Sequence, residues 1–177
     1  LGDVYKRQMN YQNFIKDTNP VVRIDMGEYG TMEAELFPEV APITVANFLA
    51  LTEQGFYNGI IFHRVISGFM IQGGDPKGTG TGGSDKTIRG EFKANGVDNP
   101  LQHTRGVLSM ARTMFPDSAS SQFFIMHRDA PHLDGSYAAF GVVTKGIETV
   151  DKIAAVKTDA MDKPVKPVVI QKLERIR

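Results

Sequence analysis

Residues 62–75 read FHRVISGFMIQGGD, and we expect the fold of the chain to be organised around them. Two largely apolar runs, residues 60–65 and 69–71, are separated by Ser67 and Gly68. Short apolar runs on either side of a tight-turn pair are typical of a β-hairpin. We therefore predict two short strands joined by a tight turn.

This hairpin would bring Arg64 and Gln72 close together. If both side chains project from one face, they flank Phe69 and Met70, so that one cation and one amide lie beside an apolar patch. A mostly apolar surface with a few polar groups is typical of a binding site.

Most of the remaining chain is also predicted to form strands. From Val22 to Leu36, apolar and polar residues alternate on both sides of a turn at 27–30, which indicates an antiparallel hairpin with one buried face. Further short apolar runs predict strands at residues 106–110, 122–126, 138–143 and 168–176. The last run has irregular apolar spacing, which a β-bulge would explain.

Two helices are predicted. Pro42 suits the first turn of a helix, and apolar residues recur at helical spacing from Val45 to Thr52, before Gly55. The spacing within 147–156 indicates a second, shorter helix. Many short strands and two helices, without repeated strand-helix alternation, favour a mostly antiparallel β domain.

Composition excludes several classes of protein. The 177 residues include 20 basic and 20 acidic side chains, so no net field draws the chain to nucleic acid or to a membrane. The absence of Cys excludes disulfides, thiolate catalysis and cysteine metal sites. No apolar run approaches the ~18 residues of a membrane span, and no signal-peptide region is visible, so a cytoplasmic location is expected.

The first eight residues look foreign to the rest of the chain. The run DVYKRQ at 3–8 is similar to a translated adapter from a sequencing library, and an ordinary disordered tail is the alternative. We expect a non-native tail at 1–8, an N-terminal extension at 9–19 and one domain at 20–177.

A glycine-rich loop follows the central hairpin. Residues 78–83 fit the pattern G-x-G-x-x-G of dinucleotide-binding loops. That pattern requires a helix with apolar periodicity after the loop, whereas residues 84–90 are polar and end in another glycine. We therefore reject a phosphate site, and a nucleotide-binding oxidoreductase is the weakest of the competing interpretations.

Nucleophilic and metal-dependent chemistry have little support. Ser118, Ser120 and Ser121 lack the context of a nucleophile elbow. His127 and His132 could bind a metal, but isolated His residues are more often surface or packing residues. We assign no metal and no cofactor.

The stretch at 62–75 resembles the signature of the cyclophilins, which are peptidyl-prolyl cis-trans isomerases. That signature runs Phe-His-Arg, two apolar residues, a variable residue, Gly-Phe-Met, one residue, then Gln-Gly-Gly-Asp. Further blocks similar to the family are GVLSMAR at 106–112, SQFFI at 121–125, HLDG at 132–135 and FG at 140–141. Together they cover nearly all of residues 20–176, far more than chance matches of short motifs do.

The resemblance implies a fold and an activity. The fold is mostly β, a closed eight-stranded antiparallel β-barrel capped by two α-helices, with the active groove on the outer wall. The activity is rotation about Xaa-Pro bonds in proline-containing peptides and in unfolded or flexible proteins, which assists protein folding as a chaperone does. A monomer is expected.

The resemblance also assigns the site. Arg64 matches the catalytic cation, and Gln72 matches the amide that positions Arg64 and the substrate. The catalytic set is Arg64, Phe69 and Gln72, and the substrate-binding set is Met70, Ala111, Arg112, Gln122, Phe124, His132, Leu133 and Tyr137. Phe123 is adjacent to Phe124 on a strand, so it is expected to face the core.

Three positions depart from the commonest eukaryotic pattern: Arg112 stands where Asn is usual, Tyr137 where His is usual and His132 where Trp is usual. Because the run MART at 110–113 resembles bacterial members, the chain looks like a bacterial-type single-domain enzyme. The usual Trp helps family members to hold cyclosporin, so we expect this chain to bind cyclosporin only weakly.

A protein of another class could use the same groove. A non-catalytic module could hold proline-containing segments without turning them over. Such a binder could dispense with Arg64 and Gln72, so the presence of both favours the enzyme.

Overall fold

The computed structural model describes residues 10–177, and the expectations for residues 1–8 and Met9 lie outside this range. The described chain contains a set of short strands and two α-helices. The strands are β1 (Val21–Asp25), β2 (Thr31–Leu36), β3 (Arg64–Ile66), β4 (Met70–Gly73), β5 (Val107–Met110), β6 (Phe123–Met126), β7 (Ala139–Lys145) and β8 (Lys172–Arg175). The helices are α1 (Pro42–Glu53) and α2 (Ile147–Ala154).

The strands form one antiparallel sheet in the order β3-β4-β6-β5-β7-β2-β1-β8. This confirms the mostly β class with eight antiparallel strands and two helices. Within residues 10–177 the outer strands β3 and β8 do not pair with each other, so the sheet is curled and open along this seam. The predicted closure by continuous strand pairing is therefore not observed.

Backbone hydrogen bonds nevertheless cross the seam immediately before these outer strands. Phe62 N donates to Val168 O at 2.9 Å, and Gly59 N donates to Ile170 O at 2.8 Å. Residues 168–170 thus bond to the segment before β3, whereas β8 pairs with β1. This change of partner accounts for the irregular apolar spacing at 168–176, and the strand there is shorter than predicted.

The core lies between the sheet and α1. The apolar face of the first hairpin is buried as predicted, with Val22 and Leu36 completely buried, but the alternation breaks at Glu35, a polar position that is also buried. From α1, the Phe48 ring lies 5.3 Å from the Phe123 ring and 5.2 Å from the Phe140 ring, centroid to centroid. Phe123 therefore faces the core, as predicted.

The start of α1 is stabilised by a residue far away in sequence. The helix begins at Pro42, as predicted, but Ala41 before it offers no capping side chain. Instead the buried Glu91 carboxylate accepts the backbone N–H of Thr44 at 2.6 Å and that of Ile43 at 3.1 Å. A carboxylate at this end satisfies donors that have no partner within the helix and complements the helix dipole.

Residues 10–19 pack onto the sheet domain. Phe14 is buried, with its ring 5.9 Å from that of Phe37. Asn19 Nδ2 donates to Glu35 Oε2 at 2.9 Å. None of the described helices is both long enough and apolar enough to span a bilayer.

Candidate active site

The β3–β4 hairpin places Arg64 directly opposite Gln72. Cross-strand partners project from the same face of a sheet, so the two side chains meet. Arg64 Nη1 donates to Gln72 Oε1 at 3.3 Å, and the Arg64 side chain is otherwise exposed. The hairpin predicted from the sequence and the proximity of these two residues are both observed.

A chain of amides continues from Arg64 into the glycine-rich loop. Gln72 Nε2 donates to Gln122 Oε1 at 3.0 Å. Gln122 Nε2 in turn donates to Gly82 O at 2.8 Å and to Gly80 O at 3.1 Å. The guanidinium is therefore bonded to Gln72, and Gln72 is bonded to Gln122, which the loop carbonyls fix.

The glycine-rich loop wraps around the buried carboxylate of Asp75. Four backbone N–H groups donate to it, from Lys77 at 2.8 Å, Thr79 at 3.1 Å, Gly80 at 2.7 Å and Gly82 at 3.1 Å. These four N–H groups already bind an anion that belongs to the chain, so they are not free to bind a phosphate. At Gly82 an added Cβ would collide with the Asp75 carboxylate, which explains the glycine there.

The hydrogen bonds also decide how Asp75 titrates. Burial alone would raise the pKa of this carboxyl, but the N–H donors of Gly82, Lys77, Gly80 and Thr79 outweigh burial and hold the pKa below its usual value of 3.8. A lowered pKa means that folding favours the ionised form. The stabilisation is present above the unfolded pKa and is lost as the pH falls through the folded pKa.

We predict that Asp75→Asn lowers the free energy of unfolding by roughly 1.5–3 kcal/mol at neutral pH, because the charge is lost and one of the two accepting oxygens becomes an amide NH2 that cannot accept a backbone N–H. The gap between parent and variant should begin to shrink as the pH falls below about 4, where the unfolded chain takes up the proton, and should close as the pH falls through the lower pKa of the folded protein. Urea unfolding of both proteins across this pH range measures the gap. A gap that does not change with pH would contradict the role of the charge.

A small cavity opens beside Arg64 and Gln72. Its volume is about 140 Å³. It is lined by residues of β3, β4 and β6 and of the segments after β5 and β6, namely Arg64, Phe69, Met70, Gln72, Ala111, Arg112, Phe124, Leu133 and Tyr137. All nine were predicted as site residues. The other two predicted residues, Gln122 and His132, lie next to this set rather than in the cavity wall.

Aromatic rings form much of the wall. Phe124 is 5% exposed, and its ring meets that of Tyr137 edge to face at 5.9 Å between centroids. On the other side of the cavity, the His132 ring lies 5.8 Å from the Phe69 ring. Phe124 is therefore both a wall of the cavity and a buried packing residue.

The side chain of Arg112 turns inward. Its guanidinium carbon lies 4.7 Å from the ring centre of Phe92 and 4.6 Å from that of Tyr137, so the cation is stacked between two aromatic faces. Its Nη2 also donates to Ser136 O. Arg112, predicted as a substrate-binding residue, thus also supports the wall of the cavity.

A second cavity of about 270 Å³ adjoins the first and shares Gln72, Ala111 and Arg112 with it. The rest of its wall is polar and uncharged, contributed by Gly80, Thr81, Gly82, Gly83, Ser84, Thr113, Ser118, Ser120 and Gln122. The two cavities together form one groove across the outer face of the sheet.

Sequence reasoning missed a buried polar chain behind Phe124. His103 Nδ1 lies 2.9 Å from Asp134 Oδ1, and His103 Nε2 lies 2.8 Å from Ser109 Oγ. The three residue types match a hydrolytic triad, but Ser109 is completely buried and the Phe124 ring lies over His103 at 6.1 Å. A nucleophile must be reachable by the substrate, so this chain is structural. Ser109 and Asp134 lie within the GVLSMAR and HLDG blocks, but nothing in the sequence linked either of them to His103.

The two His residues weighed as metal ligands are not brought together. His127 Nδ1 accepts the N–H of Gly68 at 2.9 Å, and its Nε2 lies 3.0 Å from Asp151 Oδ1. His132 lies against Phe69 instead. Within residues 10–177 no three His, Asp or Glu side chains form a group that could hold a metal ion.

Comparison with known proteins gives a consistent answer. The family model for cyclophilin type peptidyl-prolyl cis-trans isomerases matches residues 21–175. The chain is 53% identical over 117 residues to peptidyl-prolyl cis-trans isomerase B of Bacillus subtilis strain 168, covering 66% of this chain and 78% of that protein. It is 44% identical over 144 residues to peptidyl-prolyl cis-trans isomerase ppi1 of Schizosaccharomyces pombe, covering 81% of this chain and 91% of that protein.

The fold comparison agrees. A crystal structure of a cyclophilin type peptidyl-prolyl cis-trans isomerase from Cryptosporidium parvum, solved in the presence of the dipeptide Ala-Pro, superposes with a TM-score of 0.80. The two chains are 37% identical, and the match covers 89% of this chain and 99% of that one. The chain therefore belongs to the cyclophilin family and is a peptidyl-prolyl cis-trans isomerase.

Proposed function

We propose that catalysis in this isomerase takes place at the 140 Å³ cavity, with Arg64 as the catalytic cation. The observation that carries the proposal is the convergence at a single place of one exposed guanidinium, one amide chain and one cavity that has aromatic and aliphatic side chains in its wall. Each of these features answers a separate requirement of rotation about an Xaa-Pro bond.

The reaction requires stabilisation of a twisted amide. Rotation about the C–N bond must pass a barrier of ~18–20 kcal/mol because it removes amide resonance. In the twisted state the prolyl nitrogen regains a localised lone pair. A fixed cationic donor favours that state over either planar ground state, which is what acceleration requires.

Arg64 is suited to this role by its charge and its support. A guanidinium stays charged at all relevant pH values and presents its donors in a rigid fork. The bond to Gln72 engages one end of the fork and leaves the exposed remainder for the substrate. Because Gln72 is held by Gln122, and Gln122 by Gly80 and Gly82, the cation need not reorganise during the reaction.

The cavity would hold the proline ring. A cavity of about 150 Å³ in another protein holds benzene, so 140 Å³ suits one five-membered ring. Phe69, Met70, Phe124 and Leu133 supply apolar contact. An acceleration of about five decades needs roughly 7 kcal/mol, more than one hydrogen bond provides, so this grip must supply a large share.

The substrates that fit are proline-containing peptides and unfolded or flexible proteins. The C. parvum relative was crystallised in the presence of Ala-Pro, and we extend that substrate class to this chain. The adjoining 270 Å³ cavity would receive the residues before proline, next to Gln122, Ala111 and Arg112. Turnover of exposed Xaa-Pro bonds would remove slow steps in the folding of other proteins.

Closure of the sheet into a barrel is part of the proposal. β3, which carries Arg64, lies at one end of the strand order. The bonds from Phe62 N to Val168 O and from Val65 N to Asp162 O at 2.8 Å support closure, since they hold the free side of this segment. A barrel closed in this way would fix the position of the catalytic cation.

The proposal is tested by exchange between the cis and trans forms of an Xaa-Pro peptide, measured by NMR with and without the protein. Exchange that the parent protein accelerates far more than Arg64→Ala does supports it. Equal acceleration by both proteins would move the active site elsewhere.

Replacement of His132 by Trp should tighten inhibition by cyclosporin. His132 is exposed beside Phe69, at the position where family members carry the Trp that helps to hold the drug. Imidazole offers less apolar area and a differently placed donor. We expect at least a ~10-fold lower inhibition constant in His132→Trp, about 1.4 kcal/mol, while kcat/KM changes by less than about three-fold.

Titration of both proteins with cyclosporin during peptide turnover measures this effect. A parent protein inhibited as tightly as the variant would show that His132 does not limit binding of the drug. A collapse of turnover in the variant would place His132 in the catalytic set.

A further inference from the structure

Met114 and Phe115 form an exposed apolar tip next to the groove. Their side chains are 84% and 68% exposed. Single exposed apolar residues are normal on a protein surface, but adjacent large ones form a patch that costs hydration free energy and typically marks an interaction site. This tip belongs to the 113–118 loop, which follows β5 and Arg112.

The 113–118 loop is braced so that the tip stays exposed. Ser118 Oγ donates to Phe115 O at 2.6 Å, and Thr113 N donates to Ser118 Oγ at 2.9 Å. The Asp117 carboxylate accepts the N–H of Gly90 at 3.0 Å and an amide N–H of Asn95 at 2.9 Å. The bonds of Ser118 brace the loop internally, and the bonds of Asp117 fix it to residues 90–95.

The tip is continuous with the substrate groove. Thr113 and Ser118, at the two ends of the loop, line the 270 Å³ cavity, and that cavity shares Arg112 with the proline cavity. A substrate whose proline occupies the small cavity and whose preceding residues cross the larger one would next reach the 113–118 loop. The loop therefore lies on the path of the upstream part of a long substrate.

We propose that the Met114–Phe115 tip is a docking surface for unfolded protein segments that carry a bulky apolar residue upstream of the proline. This inference rests on the proposed function. The occupant is apolar because the tip is apolar and because Arg112, the one charged residue lining the cavity, is stacked between Phe92 and Tyr137. Unfolded chains expose the apolar residues that folded chains bury, so they are the substrates that can use this contact.

The tip would act through binding rather than on the rotating bond. Apolar contact upstream should lower KM for long substrates and leave kcat unchanged. Short peptides that fill only the two cavities should gain nothing from it. The tip thus favours segments of unfolded protein over isolated Xaa-Pro dipeptides.

The test compares the parent with the double variant Met114→Ser/Phe115→Ser. One substrate is a tetrapeptide containing proline. The others are longer peptides in which one Leu is placed in turn roughly three to six residues before proline. Extended chain covers ~3.3–3.6 Å per residue, so these positions sample a series of distances upstream of the proline. A matched peptide carries Ser in place of Leu. We expect kcat/KM of the variant on the best Leu peptide to fall about ten-fold, through KM, which corresponds to ~1.4 kcal/mol. Turnover of the tetrapeptide and the Ser peptide should stay within about two-fold.

The double variant Ile15→Ser/Ile176→Ser is the matched control, because it removes two other exposed apolar side chains, 43% and 37% exposed, outside both cavity walls. It keeps the tip, so it should retain the parent's preference for the Leu peptide over the Ser peptide. Equal turnover of the Leu peptide by parent and tip variant would overturn the inference. An equal loss of turnover on the tetrapeptide would also overturn it, because the tip would then shape the site itself. A parent that sediments as a dimer, with a tip variant that sediments as a monomer, would overturn it as well, because the tip would then bind a second copy of the chain.

Failure of the inference can be told apart from failure of the proposed function. Arg64→Ala should lower turnover of every peptide by about 10²-fold or more, yet it should retain the preference for the Leu peptide in binding measured by fluorescence anisotropy. Full turnover by Arg64→Ala would refute the proposed function alone. A parent protein that binds the Leu and Ser peptides equally well would refute the docking surface alone.

Discussion

Replacing Arg64 by Ala is expected to lower kcat/KM by about 10²-fold or more, equivalent to ~2.7 kcal/mol of transition-state stabilisation. The variant should fold normally, because Arg64 is exposed and its one side-chain bond, to Gln72, is long at 3.3 Å. The loss should appear mainly in kcat, since the cation acts on the twisted state rather than on the bound ground state. Protease-free assays of peptide isomerisation measure it.

Two variants sharpen this experiment. Arg64→Lys keeps the charge but replaces a planar fork by a single mobile ammonium group, so we expect most of the loss to remain. Arg128→Ala removes another exposed arginine, one that lies outside both cavities and bonds only to the carbonyl of His127, and it should leave turnover unchanged. Comparable activity in Arg64→Ala and Arg128→Ala would refute the assignment of the cation.

Replacing Phe124 by Ala is expected to impair both stability and turnover. Phe124 is 5% exposed and packs against His103 and Tyr137. The free energy of unfolding should therefore fall by about 3 kcal/mol. This value is near the lower end of the usual range for a buried Phe, because one edge of the ring borders a cavity. The sequence alone left open whether Phe124 lines an open groove at little cost in stability. Its burial decides against that alternative.

Turnover by Phe124→Ala should fall at least ~10-fold when corrected for the folded fraction, which corresponds to about 1.4 kcal/mol of lost contact with the proline ring. Phe123→Ala is the matched control, because the neighbouring ring faces the core and touches Phe48. It should lose as much stability without loss of turnover per folded molecule. Phe124→Leu separates the two effects if the Ala variant does not fold, and full turnover by folded Phe124 variants would remove Phe124 from the pocket.

Features that depend on neighbours in sequence could be predicted well. The β3–β4 hairpin follows from two apolar runs around Ser67-Gly68, and its register then places Arg64 opposite Gln72 without any long-range contact. The opposite orientation of Phe123 and Phe124 follows from strand alternation alone. In both cases the two-residue repeat of a β-strand determines which side chains share a face.

Features that depend on distant segments could not be predicted. Glu91 caps α1 from beyond the hairpin and the glycine-rich loop. The Arg112 side chain lies between Phe92 and Tyr137, a contact that its predicted place in the substrate-binding set did not indicate. Residues 168–170 and β8 pair with different partners, so one apolar run behaves as two segments. The cytoplasmic location, the monomeric state and the division of the chain at residue 20 stay predictions.

By itself, the sequence determined the class of the fold and the central hairpin, because strand period and turn chemistry are local properties of the chain. Through family resemblance it also predicted the residues proposed for the site. Only the tertiary structure decided how those residues cooperate. The amide chain from Arg64 to the glycine-rich loop, the anchoring of that loop on Asp75 and the burial of Phe124 join segments that are dozens of residues apart. Their geometry exists only once the sheet has brought those segments together, since it depends on distances in space that no spacing in the sequence encodes.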